Sequence, residues 1–207
     1  TAVGFFHEKS IPNSFYVLIF SDERGLFFFS PIFIFSLLGI MYALRKKEGG
    51  GGGAIYIVPI ALIATNIFLY SAWGDPWGGS AYGPRYLIPA MPWLALFVGI
   101  ALSYGRFLGP KKIAAFALFL FSSAIALLGA LTSNAIPKKS EAILLPIKTY
   151  NYLKDIPLLQ DNISGSFVYK TYMNIHLTLM EYFLIIYVVI AVIAAIVLLW
   201  SYIRRHE

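Results

Sequence analysis

Arg85 is the residue of this chain whose type and setting most clearly indicate chemistry. It lies between Pro84 and the apolar residues 86–88, where a loop turns into a long hydrophobic stretch. An arginine near a region of low dielectric needs a partner, and its planar guanidinium can bind a phosphate through two parallel hydrogen bonds. Asp75 is the only acidic residue nearby in sequence. A phosphate contact and an Arg85–Asp75 ion pair that braces the loop are therefore the two alternatives.

The loop that carries Arg85, Trp73–Pro89, is rich in glycine, proline and aromatic residues. Glycine allows tight turns and close backbone approach, and proline stiffens the path of the chain. Tryptophan and tyrosine suit a membrane interface, where an aromatic ring is half buried. The composition predicts a rigid turn that presents Arg85 at the membrane surface. The residues expected to bind a substrate there are Arg85, Asp75, Trp77, Tyr82 and Tyr86, with Arg24 as a second cation.

Arg24 lies in the short polar stretch 21–25, directly before another long hydrophobic run. One interpretation is an anchor that extends its charge into the lipid headgroups while its stem stays in apolar surroundings. The other is a second contact to a phosphate, at the same depth as Arg85. The sequence leaves both open.

Long apolar runs must position these residues, and the sequence contains five of them. Each approaches the ~20 residues that a helix needs to cross a hydrocarbon core of ~30 Å. Backbone groups cannot stay unpaired in lipid, so helices are the expected spanning form. The sequence therefore predicts an all-α, polytopic membrane helix bundle. The predicted spans are Leu26–Leu44, Ala54–Ala72, Ile88–Tyr104, Ile113–Thr132 and Phe183–Ile203.

The distribution of basic residues predicts the orientation of the bundle. Eight of the 16 lysines and arginines fall in the short connections 45–53 and 105–112 and in the tail 204–207. Dense positive charge marks the cytoplasmic side, so we expect the N-terminus outside and the C-terminus inside. The predicted location is the plasma membrane, with several passes. The Arg85 loop then faces outward.

Three regions follow from this topology. Residues 1–132 hold four membrane helices and the motif loop 73–87. Residues 133–182 form an extracytoplasmic loop or cap, and residues 183–207 form the last span and a cytoplasmic tail. The run Gly49–Gly53 is a natural flexible turn or an artificial linker. Because the sequence begins at Thr1 without a signal peptide, we expect it to be the C-terminal part of a longer protein.

Composition excludes several classes of protein. Hydrophobic residues make up 59% of the chain and charged residues 13%, with a mean hydropathy of +0.74, whereas soluble domains average about 25% charged residues. Cysteine is absent and the histidines are isolated, so neither a metal site nor a cofactor is expected. The net charge of +6 reflects topogenic clusters, which argues against a nucleic-acid partner. No Asp, Glu, Lys or His lies inside the five predicted spans, which argues against a proton-coupled carrier.

Two motifs in residues 15–102 resemble the C-terminal membrane half of GT-C type glycosyltransferases, the polytopic enzymes related to the protein mannosyltransferase superfamily. The first follows the pattern S-x-x-R-G-L-x-x-x-S-P, from Ser21 to Pro31. The second resembles W-x-G-G-x-x-x-G-P-R-Y-L-x-P, from Trp77 to Pro89, although here Gly78 follows Trp77 directly. Bacterial and archaeal members carry such patterns.

The resemblance implies a membrane glycosyltransferase that takes its sugar from a polyprenyl-phosphate donor on the extracytoplasmic face. This chain would supply contacts to the donor phosphate and to lipid. The family's catalytic acid lies in an early outer loop, so no catalytic residue is identified here, and Asp22, Glu23 and Asp75 are the outer carboxylates at hand. Another segment or another membrane subunit would complete the enzyme. The alternative is a non-catalytic membrane subunit or a transporter of lipid or lipid-linked sugar.

Overall fold

The computed structural model describes residues 11–45, 54–73, 75–79, 81–103, 109–133 and 151–203. Every extended regular element in these ranges is helical, which confirms the predicted all-α class. The α-helices are α1 Ile11–Ile19, α2 Leu26–Phe29, α3 Ile34–Arg45, α4 Ile57–Ala72, α5 Met91–Ser103, α6 Pro110–Leu131, α7 Asp155–Gln160 and α8 Leu179–Ile203. Short 3-10 helices cover Pro31–Phe33, Ala54–Tyr56, Arg85–Ala90 and Tyr152–Lys154, and a π-helical turn covers Tyr169–Met173.

Within the described ranges, three helical segments are long and apolar enough to cross a membrane, namely Arg85–Ser103, Pro110–Leu131 and Leu179–Trp200. They indicate a membrane protein. Pro31–Arg45 and Ile57–Ala72 are apolar but shorter. The count of five spans and the orientation therefore stay predictions. The basic connections 46–53 and 104–108, the run Gly49–Gly53 and the tail 204–207 lie outside the described residues.

The helix boundaries differ from the predicted ones where proline intervenes. The predicted span Leu26–Leu44 is not one continuous helix, because α2 ends before Ser30 and a 3-10 turn precedes α3. Pro31 has no backbone N–H and restricts the residue before it, and Ser30 accordingly leaves the helical region with φ −141° and ψ 67°. Helical structure also begins earlier than predicted at three places, at Arg85, Pro110 and Leu179.

The main core lies where α3 packs against α5 and α1 packs against α4. Phe97 and Leu87 are fully buried there. A Cβ atom at Gly39 would lie 1.8 Å from the Phe97 carbonyl oxygen, so only glycine allows the backbones of α3 and α5 to come this close. This packing holds α5, the helix into which the Arg85 loop leads.

Residues 151–178 pack against the end of α6 and the start of α8. The Leu131 carbonyl, one of the unpaired groups at the α6 terminus, accepts hydrogen bonds from Ser164 Oγ at 2.5 Å and from the Gly165 backbone N–H at 3.1 Å. The longest helix of this segment, α7, has six residues. These residues belong to the predicted outer region 133–182, of which 134–150 lie outside the described residues.

Candidate functional site

Arg24 is buried and fixes the Arg85 loop through the loop's backbone. Its Nε donates to the Trp77 carbonyl at 3.0 Å, and its two terminal nitrogens donate to the carbonyls of Gly79 at 3.4 Å and Glu23 at 3.1 Å. The residue is only 3% exposed. Burial lowers the pKa of the guanidinium, and the negative charges of Glu23 and Asp75 oppose this effect. The side chain is thus held inside the protein, and its planar fork is engaged by carbonyls.

The backbone between Asp75 and Gly79 has the geometry that brings those carbonyls to Arg24. Gly78 and Gly79 both have φ +68°, a region that residues with a Cβ atom rarely enter. Before them, the Asp75 carboxylate accepts the Trp77 backbone N–H at 3.1 Å, which is the local bond of an Asx turn. The glycines and the aspartate therefore shape the turn, as the composition of the loop predicts.

Tyr82 attaches the far end of the loop to α6. Its hydroxyl donates to the Ile125 carbonyl at 2.8 Å, and its ring meets the Phe29 ring edge to face at 5.2 Å. A Cβ atom at Gly129 would lie 2.5 Å from the Tyr82 ring, so the ring occupies the place of a side chain on α6. Tyr82 is thus a structural contact between the loop and the bundle.

Arg85 itself is exposed, unlike Arg24. It opens the 3-10 helix that leads into α5, and its backbone N–H donates to the Gly83 carbonyl at 2.9 Å. Among the described residues, no ion pair or hydrogen bond engages its guanidinium, and none joins it to Asp75. The ion-pair brace is therefore not formed in this structure. The guanidinium is available to an external anion.

Tyr86 and Trp77, the other two aromatic residues of the predicted site, contact residues outside the loop. The Tyr86 ring stacks on the Tyr70 ring of α4, with centroids 4.3 Å apart and planes 6° from parallel. A Cβ atom at Gly78 would lie 3.5 Å from the same ring, so the ring lies beside the glycine turn. Trp77 is half buried, and its carbonyl is bound by Arg24. Both residues therefore have structural partners inside the protein.

Asp155 is a further ionisable group near this loop, and the sequence alone does not indicate it. It is fully buried, and neither carboxylate oxygen has a hydrogen-bond partner in the described part of the chain. Burial raises the pKa of this carboxyl to about 6, against a smaller opposing effect of Lys154. The charge of Asp155 in turn helps to raise the pKa of Tyr82, after burial of that phenol. Asp155 thus lies within electrostatic reach of the loop.

Aromatic rings form the surroundings of α7, which Asp155 begins. The Tyr152 ring stacks on Phe28 at 5.2 Å and meets Phe29 edge to face at 5.6 Å. An aspartate at the start of a short helix, next to Lys154, has the sequence pattern of a solvated first turn. Tyr152 packs against α2 and α7 packs against α6, and both of these contacts join distant parts of the chain.

Three other carboxylates, Asp22, Glu23 and Asp75, are predicted on the outer face. Asp22 and Asp75 are exposed, and Glu23 is half buried. No group of three or more His, Cys, Asp or Glu side chains that could hold a metal ion occurs within the described ranges.

A cavity of about 680 Å³ opens between α5, α6 and α8, near the start of α6. Its walls are almost entirely apolar, with Lys112 and Ser103 as polar members. None of the predicted site residues lines it. The cavity is therefore separate from the Arg85 loop.

Comparison with protein-family models, with curated proteins and with solved structures finds no match to this chain.

Proposed function

We propose that this chain is part of a membrane glycosyltransferase that uses a polyprenyl-phosphate-linked sugar on the extracytoplasmic face. Its role is to bind the donor, with Arg85 as the contact to the phosphate. The observation that carries the proposal is an exposed arginine, without a partner among the described residues, on a loop that a second, buried arginine holds in place.

The position of Arg85 suits a lipid-linked anion. Arg85 is the first residue of Arg85–Ser103, one of the segments long enough to cross a membrane. A residue at the end of such a segment lies at the level of the headgroups, where lipid phosphates are found. Ile88, one turn further on, is 58% exposed and can lie against a prenyl chain, while Leu87 is turned into the core. One short helix thus offers a cation and an apolar surface together.

The rigidity of the loop favours binding as well. Arg24, Tyr82 and Tyr86 hold the loop from three sides, through carbonyl bonds, a contact with α6 and a stacked ring. A preorganised cation loses little conformational freedom when an anion arrives, so more of the interaction energy becomes affinity. In this proposal Arg24 positions the loop, and Arg85 contacts the phosphate.

Binding of a long-chain polyprenyl phosphate to the purified chain, measured by native mass spectrometry in detergent, tests the proposal. Arg85→Gln removes a charge-assisted contact and should weaken binding by about tenfold or more. Arg85→Lys keeps the charge but loses the planar fork, so its affinity should lie between that of the unmodified chain and that of Arg85→Gln. Arg45→Gln, at an exposed arginine where α3 ends, is the matched control and should bind normally.

The neutral polyprenol distinguishes the phosphate contact from a lipid contact. Its binding should be the same for the unmodified chain and for Arg85→Gln, because only the phosphate is recognised by Arg85. A folded Arg85→Gln protein that binds the polyprenyl phosphate with unchanged affinity would remove the basis of the proposal.

Release of polyprenyl phosphate from a sugar-loaded donor separates the enzyme from its alternative. A transferase, assembled with any further segment or subunit that supplies the proton-accepting carboxylate, releases it in proportion to sugar transferred to an acceptor. A lipid-binding subunit or transporter binds the donor through Arg85 and leaves the sugar–phosphate bond intact.

A further inference from the structure

A helical segment just before α8 exposes an apolar face that the rest of the described chain does not cover. Phe167, Val168, Tyr172 and Ile175 form this face, which we call the outer apolar face. Their exposed fractions are 72% for Phe167, 61% for Tyr172 and 82% for Ile175, with Val168 at 48%. Large side chains of this kind, grouped and exposed, mark a surface that meets something other than water.

The opposite side of the same segment is firmly packed, so the exposure belongs to an ordered element. Tyr169 is 2% exposed, and its hydroxyl lies 2.7 Å from Asn162 Oδ1 and 2.9 Å from the Leu177 carbonyl. Asn162 Oδ1 also accepts the backbone N–H of Leu179 at 2.5 Å. The burial of Tyr169, between neighbours that are exposed, shows that its ring is turned to the inside of the protein and not to the outer apolar face. The segment is thereby tied to the first residue of α8.

The start of α8 is fixed by a capping box. The Thr178 backbone N–H donates to Glu181 Oε2 at 2.8 Å, and the Glu181 backbone N–H donates to Thr178 Oγ1 at 3.3 Å. This reciprocal pair satisfies two backbone N–H groups at the N-terminus of α8 and defines where the helix begins. The outer apolar face therefore occupies a defined place beside the start of α8.

The start of α8 is expected at the boundary of the membrane. The segment Leu179–Trp200 has a mean hydropathy of 3.2, and none of its most apolar window is buried within the protein. At ~1.5 Å per residue, the 25 residues of α8 extend about 37 Å, more than the ~30 Å of a hydrocarbon core. The first residues of α8 and the segment tied to them thus reach the headgroup layer.

We propose that the outer apolar face is seated in the outer leaflet, where Phe167, Val168, Tyr172 and Ile175 enter the boundary between headgroups and acyl chains. The segment is tied to the first residue of α8, whose apolar stretch is itself left uncovered by the described protein, and this argues for lipid as the occupant. Aromatic rings are favoured at this depth, and the exposed Lys170 suits anionic headgroups. The inference rests on α8 crossing a membrane and is independent of sugar transfer.

Fluorescent labelling at single cysteines tests the depth of this face, and the natural absence of cysteine makes the background clean. Tyr172→Cys and Ile175→Cys report on the outer apolar face, and Gln160→Cys, at the exposed end of α7, is the matched control. Each labelled full chain is placed singly in nanodiscs of phosphatidylcholine and phosphatidylglycerol. Two variants on one face protect the test from a failure of either one to fold.

We expect dyes at positions 172 and 175 to be quenched by lipids with a spin label near the headgroup, and several-fold less by aqueous iodide than the dye at position 160. Iodide quenching at 172 and 175 equal to that at 160 would overturn the proposal. Protection from both quenchers would also overturn it, because it would show that protein covers the face.

Discussion

We predict that Asp155 makes the packing of residues 151–178 dependent on pH. The carboxylate is fully buried without a hydrogen-bond partner among the described residues, so its charged form is disfavoured when α7 is docked against the bundle. When the segment opens, the carboxyl regains its ordinary solvated state. Among the described residues, Lys154 and Tyr82 interact electrostatically with Asp155, and Lys154 favours its charged form.

The pKa values give the size of the effect. Burial raises the pKa of Asp155 from 3.8 to about 6. This shift corresponds to about 3 kcal/mol of docking free energy between the fully protonated and fully ionised limits. Because the docked state holds its proton more tightly, its stability is complete below pH 3.8 and falls as the pH rises towards about 6. Between about pH 5 and pH 7.5 the opening equilibrium should rise about tenfold.

Cysteine labelling measures this opening. Leu159→Cys introduces a thiol at a buried position of α7, 7% exposed in its native form, and Ile163→Cys introduces one at a position that is 53% exposed. When the segment closes faster than the reagent reacts, the rate at position 159 follows the open population. The rate at position 163 corrects for the pH dependence of the thiolate. The ratio of the two rates should rise by the factor derived above.

Two aspartate variants decide whether Asp155 is the cause. Asp155→Asn keeps the shape of the side chain and removes its ionisation, so the ratio should no longer change with pH. Asp161→Asn, at an exposed aspartate at the end of α7, should keep the full pH dependence. A pH profile that persists in Asp155→Asn would refute the reasoning.

Two further predictions concern the packing that holds the loop and the core. Arg24→Gln leaves loop carbonyls without their donors, so the free energy of unfolding in detergent should fall by about 2–4 kcal/mol, whereas an unchanged value would contradict the clamp. Gly39→Ala brings a methyl group against the Phe97 carbonyl and should cost about 1–3 kcal/mol, whereas Gly99→Ala, with no atom within 4 Å of the new Cβ, should be tolerated. Equal melting temperatures for the two glycine variants would contradict the close packing of α3 against α5.

The helices could be predicted because long apolar runs have few alternatives in a membrane. The sequence marks each run by hydrophobicity alone, and Ile113–Thr132 agrees closely with α6. Boundaries were harder, because local backbone chemistry decides them. The break at Ser30 depends on the missing N–H of Pro31. The start of α8 depends on Thr178 and Glu181, each of whose side chains accepts the other's backbone N–H.

The site was predictable in its local turn chemistry but not in its long-range contacts. The glycines at 78 and 79 predict a backbone with positive φ angles, and both residues have φ +68° in the structure. Nothing local distinguishes Arg24 from Arg85, since both precede an apolar run. Their different burial follows from bonds between Arg24 and residues 53 and 55 positions away. The burial of Asp155 likewise depends on a partner surface that lies far away in sequence.

The charges around the loop lead to a last prediction, for Asp75. Its carboxylate shares the loop with Arg85 and acts electrostatically on Arg24, whose positive charge is solvated by carbonyls and only partly opposed by acidic neighbours. Two cations then raise the local potential where a phosphate would bind, and Asp75 lowers it. Asp75→Asn keeps an oxygen that can accept the Trp77 N–H, so the turn should persist.

Removing this one negative charge should tighten binding of the polyprenyl phosphate by about twofold to fivefold, the range expected for a single exposed charge, and should leave binding of neutral polyprenol unchanged. Native mass spectrometry at low ionic strength measures both, and added salt should reduce the gain because exposed charges are screened. If Asp75 instead braced Arg85 in the working protein, Asp75→Asn would destabilise the fold as much as Arg85→Gln does and would weaken phosphate binding. The two interpretations thus predict opposite changes in phosphate affinity for Asp75→Asn. A brace needs the carboxylate, whereas the negative charge of that carboxylate repels a bound phosphate.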